Sequence, residues 1–241
     1  GSDATTNWTA RCDYRANNTV SVDTNRIKLA MTADTAGTPG WGWIYCDTQT
    51  FTPPFTLEFT MQRGTRPASN FAEIYVGLCS TPITHGSSSM MDRPTRFSEI
   101  NWNHTSSASK LSLRTSQKNQ GTQYQYAYTT TTAANNKMAV RMIFTTDNRV
   151  KLYTDDGDTG TYTLKYYGPH NIDTINSGVY LYLGQVNLNT AAFNAYFYDI
   201  KVYNEDSVSY PNVVMMPPGA TLKTTATATR TVEDGTASYY A

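Results

Sequence analysis

The stretch Met138-Ala139-Val140-Arg141-Met142-Ile143-Phe144-Thr145, followed by Asp147-Asn148 and then by Val150-Lys151-Leu152-Tyr153-Thr154, decides the class of fold. Each arm alternates its side chains with period two, the signature of a strand with one buried face. Asp and Asn tolerate the backbone conformations of a tight reversal, so the two arms read as a hairpin turning at Asp147-Asn148.

The same texture repeats along the chain, and no stretch sustains a 3.6-residue apolar period. Upstream, strands are expected at Thr19–Val22, Arg26–Met31, Trp43–Cys46, Phe55–Gln62, Glu73–Cys79, Arg96–Trp102, Lys110–Thr115 and Gln123–Thr129. Downstream they are expected at Tyr162–Tyr167, Val179–Val186 and Phe193–Tyr203, with Asp155-Asp156-Gly157-Asp158 as a further turn. More than a dozen short strands at this spacing describe an all-β, two-sheet antiparallel sandwich. One domain over residues 3–210 suits a chain of 241 residues. Past Tyr210-Pro211 the texture changes to a Thr-rich tail, 211–241. It reads as a linker, as one or two strands belonging to a neighbouring module, or as a segment lying on the sandwich.

The surface is nearly uncharged in sum: 19 basic and 19 acidic residues, 16% charged in all. Nothing in that balance attracts nucleic acid or an anionic membrane, and no apolar run is long enough to insert in one. The 18 tyrosines and 4 tryptophans, set among plentiful Thr, Ser, Asn and Gln, suit a neutral, hydroxyl-rich ligand. Three cysteines are too few for a disulfide scaffold. Cys79 lies in an apolar run and reads as a buried thiol, whereas Cys12 and Cys46 sit in polar stretches and could pair in an oxidising compartment. Gly1-Ser2 reads as a residue of cloning, ahead of which a leader would have been removed.

The run Phe193-Asn194-Ala195-Tyr196-Phe197-Tyr198-Asp199-Ile200-Lys201-Val202-Tyr203-Asn204 resembles the closing strand of concanavalin A-like domains, with its Asp, alternating apolar residues and Tyr-Asn. Phe51–Met61 is similar to an early strand shared by laminarin-G-like domains and laminarinase-like hydrolases of that superfamily. The resemblance spans roughly residues 15 to 206 and implies a jelly roll. It also implies a structural Ca²⁺ at Asp199, with Asp23 or Asp13 contributing. The laminarinase-like enzymes carry Glu-x-Asp-x-Glu on one strand, so that three carboxylates point into the cleft. Here the matching strand is Glu99-Ile100-Asn101-Trp102-Asn103-His104, which keeps the first Glu and puts Asn at both other places. An amide neither donates a proton to a leaving oxygen nor activates water. The resemblance therefore implies a strand of hydrogen-bonding groups without hydrolytic machinery.

Side-chain parity puts Ile100 and Trp102 toward the core and Glu99, Asn101 and Asn103 on the opposite face. Glu73 and Tyr75 share that face by the same alternation. Arg114 opposes Leu111 and Leu113 and either orients a ligand or pairs with Glu99. In Gly40-Trp41-Gly42-Trp43-Ile44-Tyr45 the flanking glycines are expected to leave the Trp41 ring uncrowded for sugar stacking, with Trp43 toward the core. The tyrosines of Tyr124-Gln125-Tyr126-Ala127-Tyr128 form a sheet-stabilising ladder. His85, His104 and His170 have no zinc spacing.

The expectation is an extracellular, non-catalytic carbohydrate-binding module, secreted or at a cell surface, within a larger multidomain protein. Its partner is a polysaccharide or glycan. The alternatives are a polysaccharide-cleaving hydrolase or lyase with a non-standard site, and a structural surface, adhesin or virion domain.

Overall fold

The computed structural model describes residues 8–12, 18–23, 26–33, 39–46, 50–65, 71–80, 97–116, 122–130, 136–170, 177–203, 232–233 and 236–237. Fourteen of the described strands form two seven-stranded antiparallel sheets. The front sheet runs, in spatial order, β1 (Trp8–Cys12), β4 (Gly40–Cys46), β13 (Tyr180–Asn187), β6 (Ala72–Cys79), β7 (Phe97–His104), β8 (Ser109–Ser116) and β9 (Thr122–Thr129). The back sheet runs β12 (Thr163–Pro169), β11 (Arg149–Asp156), β10 (Lys137–Phe144), β5 (Phe55–Arg63), β14 (Phe193–Tyr203), β3 (Arg26–Met31) and β2 (Thr19–Asp23). A separate two-residue ladder joins β15 (Val232–Glu233) to β16 (Thr236–Ala237). The rest of the Thr-rich tail lies outside the described residues.

Alternation explains why these strands form a sandwich. Leu29 and Met31, then Phe55, Leu57, Phe59 and Met61, then Val140, Met142 and Phe144 all turn inward from the back sheet. They meet Ile74, Val76, Leu78, Ile100, Trp102, Leu111, Leu113, Leu181 and Leu183 from the front sheet. Two inner faces that interdigitate in this way give the core of an aligned β-sandwich. The β10–β11 hairpin turns where the sequence places it. Asn148 takes a positive φ of 61°, and Thr145 N donates to Arg149 O at 3.0 Å across the turn.

One end of the core is closed by amides. Asn187 Nδ2 donates to Met31 O at 2.6 Å and to Ala191 O at 2.9 Å, and Gln185 Nε2 donates to Phe193 O at 2.5 Å. At the open side between the sheets, Tyr128 reaches from β9 to β11, its hydroxyl 2.8 Å from Thr154 Oγ1 and donating to Asp156 Oδ1 at 2.7 Å. Burial and the Asp156 carboxylate push its ionisation well above the usual tyrosine range. Tyr126 packs on the same core, so the tyrosines of β9 serve packing; the Tyr124 side chain is outside the described set.

The expected cysteine pairing fails on geometry. Cys12 pairs in register with Gly42 and Cys46 with Trp8. Four residues of strand rise therefore separate the cysteines, roughly 13 Å, beyond the reach of a disulfide. Cys46 and Cys79 are both buried thiols. The polar stretch holding Cys12 is β1, a strand the sequence texture did not mark. Trp43 is buried as expected, in a second apolar core cluster on the far side of the front sheet.

Candidate functional site

The outer face of the front sheet gathers every ligand-site residue that the sequence singles out. Register places them in three rows. The first runs Trp41, Val186, Glu73, Asn103, Lys110; the second Trp43, Gly184, Tyr75, Asn101, Ser112; the third Tyr45, Tyr182, Gly77, Glu99, Arg114. Ile100 and Trp102 point the other way, into the core, as parity requires.

Two glycines shape the aromatic half of this face. The Trp43 ring lies over Gly184, where a Cβ would come within 2.0 Å of it. From there it stacks on Tyr75, with centroids 5.4 Å apart and planes at 25°. Such a pair contributes about 0.5–1.5 kcal/mol beyond its burial. Tyr182 lies over Gly77 in the same manner and packs against Trp43 at 5.7 Å.

The polar half centres on Arg114. Its Nη2 donates to Glu73 Oε1 at 2.9 Å, and its Nη1 lies 3.8 Å from Glu99 Oε1. Glu73 also accepts from Asn103 Nδ2 at 2.9 Å and from the Tyr75 hydroxyl, while Glu99 Oε2 accepts from the Tyr182 hydroxyl at 2.6 Å. The open choice for Arg114 thus resolves into pairing with two carboxylates. Parity on one strand supplies a single acid; the neighbouring strand β6 brings the second, Glu73, to the same guanidinium. The sequence reading put Glu73 on the same face as Glu99, off the Glu99 strand; the structure adds that one guanidinium reaches both.

Exposure corrects another expectation. Trp41 is 4% exposed and belongs to the second apolar cluster with Trp43, Tyr45, Tyr75, Cys79, Tyr182 and Val186. Its flanking glycines leave it no freer: Val186 stands opposite it, and it belongs to the same buried apolar cluster as Trp43 and Tyr182. Glu99 and Asn101 are sealed at 0%. Among the described residues, neither Nδ2 nor Oδ1 of Asn101 has a hydrogen-bond partner, nor does Trp43 Nε1. Toward the first row the face opens: Asn103 is half-buried and Lys110 exposed.

Asp199, the residue expected to hold Ca²⁺, stands at the surface of the back sheet. It is exposed, with φ of 50°, at the register break between Tyr198 and Lys201. No group of three or more His, Cys, Asp or Glu side chains gathers around a metal position among the described residues. The Asp13 and Asp23 side chains lie outside the described set. The cluster at Asp155 is a turn. Asp155 accepts from Gly160 N at 2.6 Å and Thr161 N at 3.1 Å, Asp156 from Tyr128, and Asp158 pairs with Lys137 at 3.4 Å. His104 and His170 are both fully buried. His104 packs on Trp102 at 4.5 Å. His85 lies outside the described residues.

No protein-family model and no curated protein matches the chain. Solved structures do. A legume lectin-like domain from Entamoeba histolytica superposes with a TM-score of 0.61 at 11% identity, covering 84% of this chain and 92% of its own. The metal-free carbohydrate recognition domain of Emp46p gives 0.60 at 11%, covering 83% and 89%. The Ca²⁺/Man3GlcNAc-bound exoplasmic/lumenal domain of VIP36 gives 0.56 at 10%, covering 83% of each chain. At that identity the likeness concerns architecture. The chain has the concanavalin A-like lectin fold, the jelly-roll sandwich of legume lectin-like carbohydrate-recognition domains.

Proposed function

We propose that the chain is a non-catalytic carbohydrate-binding module that meets a polysaccharide or glycan on the outer face of its front sheet. The observation that supports it is the mixture on that face. Half-buried Asn103 and exposed Lys110 present an amide and an ammonium at its open end, above a buried floor of the Trp41, Trp43, Tyr75 and Tyr182 rings and the Asn101, Glu73, Glu99 and Arg114 side chains. Amide and ammonium groups that bond to hydroxyls, held on a rigid aromatic floor, suit sugar recognition. The carbohydrate recognition domains among its structural neighbours support the same reading. The exoplasmic/lumenal placement of VIP36 supports a secreted or cell-surface location.

Affinity electrophoresis on glucan, galactan, xylan and mannan tests it. Retention on at least one polymer, weakened by Asn103→Ala, is the expected result. Retention on none would leave the face as packing and return the chain to the structural, surface-domain alternative.

One observation favours a polysaccharide-cleaving enzyme instead: Glu73 and Glu99 share one guanidinium, so two carboxylates do meet. Their oxygens accept from Tyr75, Asn103, Arg114 and Tyr182, which suits a positioning lattice better than a proton donor facing a leaving oxygen. Release of reducing or unsaturated sugar from the same polymers, abolished by Glu99→Gln, would decide for the enzyme.

A further inference from the structure

The outer face is sealed at its middle and open at one end, and that end carries a residue the sequence reading did not mark. Phe71 immediately precedes β6. The β6–β13 pairing continues through it, since Leu188 N donates to Phe71 O at 3.1 Å one step beyond the Ala72–Asn187 pair. Leu188 packs against the second apolar cluster and so lies on the outer face. Phe71, opposite Leu188 and two residues from Glu73, lies on that face as well. It is 37% exposed, one of few large apolar side chains so placed.

Beside it, β7 and β8 present Asn103, half-buried, and Lys110, exposed and directly opposite Asn103 in register. The hairpin joining those strands ends in Ser106 and Ser107, both exposed and held by Thr105 N donating to Ala108 O at 2.9 Å. Strand spacing and rise put Phe71 and Asn103 about 8 Å apart along the face, a span that one sugar ring and its hydroxyls bridge.

Resting on the carbohydrate reading of this face, we infer that the sugar docks at this open end. Phe71 stacks on the C–H face of a pyranose, while Asn103, Lys110 and the Ser106-Ser107 hairpin bind its hydroxyls. Trp41, Tyr75, Glu99 and Arg114 form the floor that holds Asn103 and Glu73 in place, without touching the ligand. The ligand class is a neutral glycan read along its edge. The fit is to an apolar ring face flanked by amide, ammonium and hydroxyl groups, on a chain whose net charge is zero.

The test measures retention of the full chain and its variants on the polysaccharide that holds the wild type best. Phe71→Ala is expected to weaken retention about tenfold at an unchanged melting temperature, Lys110→Ala by a smaller factor, and Phe71→Tyr to keep it. Trp41→Ala is expected to lower the melting temperature while the folded fraction binds as before. If the wild type binds and Phe71→Ala binds equally well, this placement falls and the carbohydrate reading stands. If Trp41→Ala folds and loses binding, the floor itself is the contact and the placement also falls. If the wild type binds no polymer, both fall.

Discussion

Tyr182 lays its ring across Gly77 and donates its hydroxyl to Glu99 Oε2 at 2.6 Å. The absence of a side chain at 77 is what admits the ring, because a Cβ there would lie 2.6 Å from the Tyr182 hydroxyl and 2.7 Å from Glu99 Cβ. The ring tip can swing, but the Glu99 Cβ is fixed to its strand. Gly77→Ala is therefore expected to lower stability by about 1–3 kcal/mol, as overpacking does. Urea denaturation checks it, and an unchanged midpoint would mean that the two strands separate freely at this point.

Arg114 holds together the polar half of the same face. With its side chain 9% exposed, it faces Glu73 at 11% and Glu99 at 0%. Removing the guanidinium leaves two carboxylates out of water without a cation between them. Arg114→Met is expected to lose roughly 3–5 kcal/mol, the range for breaking a buried ion pair from one side. Adding Glu73→Gln to it should restore part of the loss, since one of the stranded charges is gone. A double variant no more stable than the single one would show that Glu73 is solvated when Arg114 is absent.

Acid stability has a separate origin. His170 is fully buried beside Phe144, ring centroids 5.6 Å apart, and burial pushes its pKa down to about 4, with the Asp147 carboxylate opposing. The unfolded chain takes up this proton near pH 6.5, the folded chain only near pH 4. Stability is thus fully present above pH 6.5 and lost as pH falls toward 4, by about 3 kcal/mol from this group. Denaturation midpoints measured across that window should decline in the wild type and flatten in His170→Gln. A wild-type midpoint constant from pH 7 to 4 would show the imidazole to be hydrated.

Two-residue periodicity made the sheets legible. Arg26–Met31 and Phe193–Tyr203 begin and end where alternation says, and Ile100 and Trp102 face the core while Glu99 and Asn101 do not. Parity, however, reports only which side of a sheet a residue takes. It could not tell that Trp41 is buried on the far side of the front sheet, because the cluster it joins there includes Val186 and Tyr182, from a strand distant in sequence. It put Glu73 and Glu99 on one face but could not show that Arg114 reaches both, since register sets them four residues apart, with Glu73 opposite Asn103 and Glu99 opposite Gly77. Phe71 was passed over because the expected strand began at Glu73; a polar-rich stretch before an apolar run carries no mark of where pairing continues. Tyr180-Leu181-Tyr182-Leu183-Gly184, alternating ring and glycine on one face, did hold a signal for the aromatic wall.

Asn101 separates a structural from a latent polar role on this face. Both ends of its amide are sealed from solvent without a partner, while its backbone oxygen lies 3.5 Å from Ser112 Oγ. A buried amide in that state carries a desolvation penalty of about 1–3 kcal/mol with no bond to offset it. Asn101→Leu has similar volume and no polar atoms, so its denaturation midpoint is expected to stay level or rise. Asn103→Leu, two residues along, removes a 2.9 Å bond to Glu73 and is expected to lower it. Comparing the two by chemical denaturation gives opposite signs if the orphaned amide is a burden on the fold. A clear loss of stability in Asn101→Leu would mean that the amide is hydrogen-bonded in solution, to a water held between Tyr75 and Ser112.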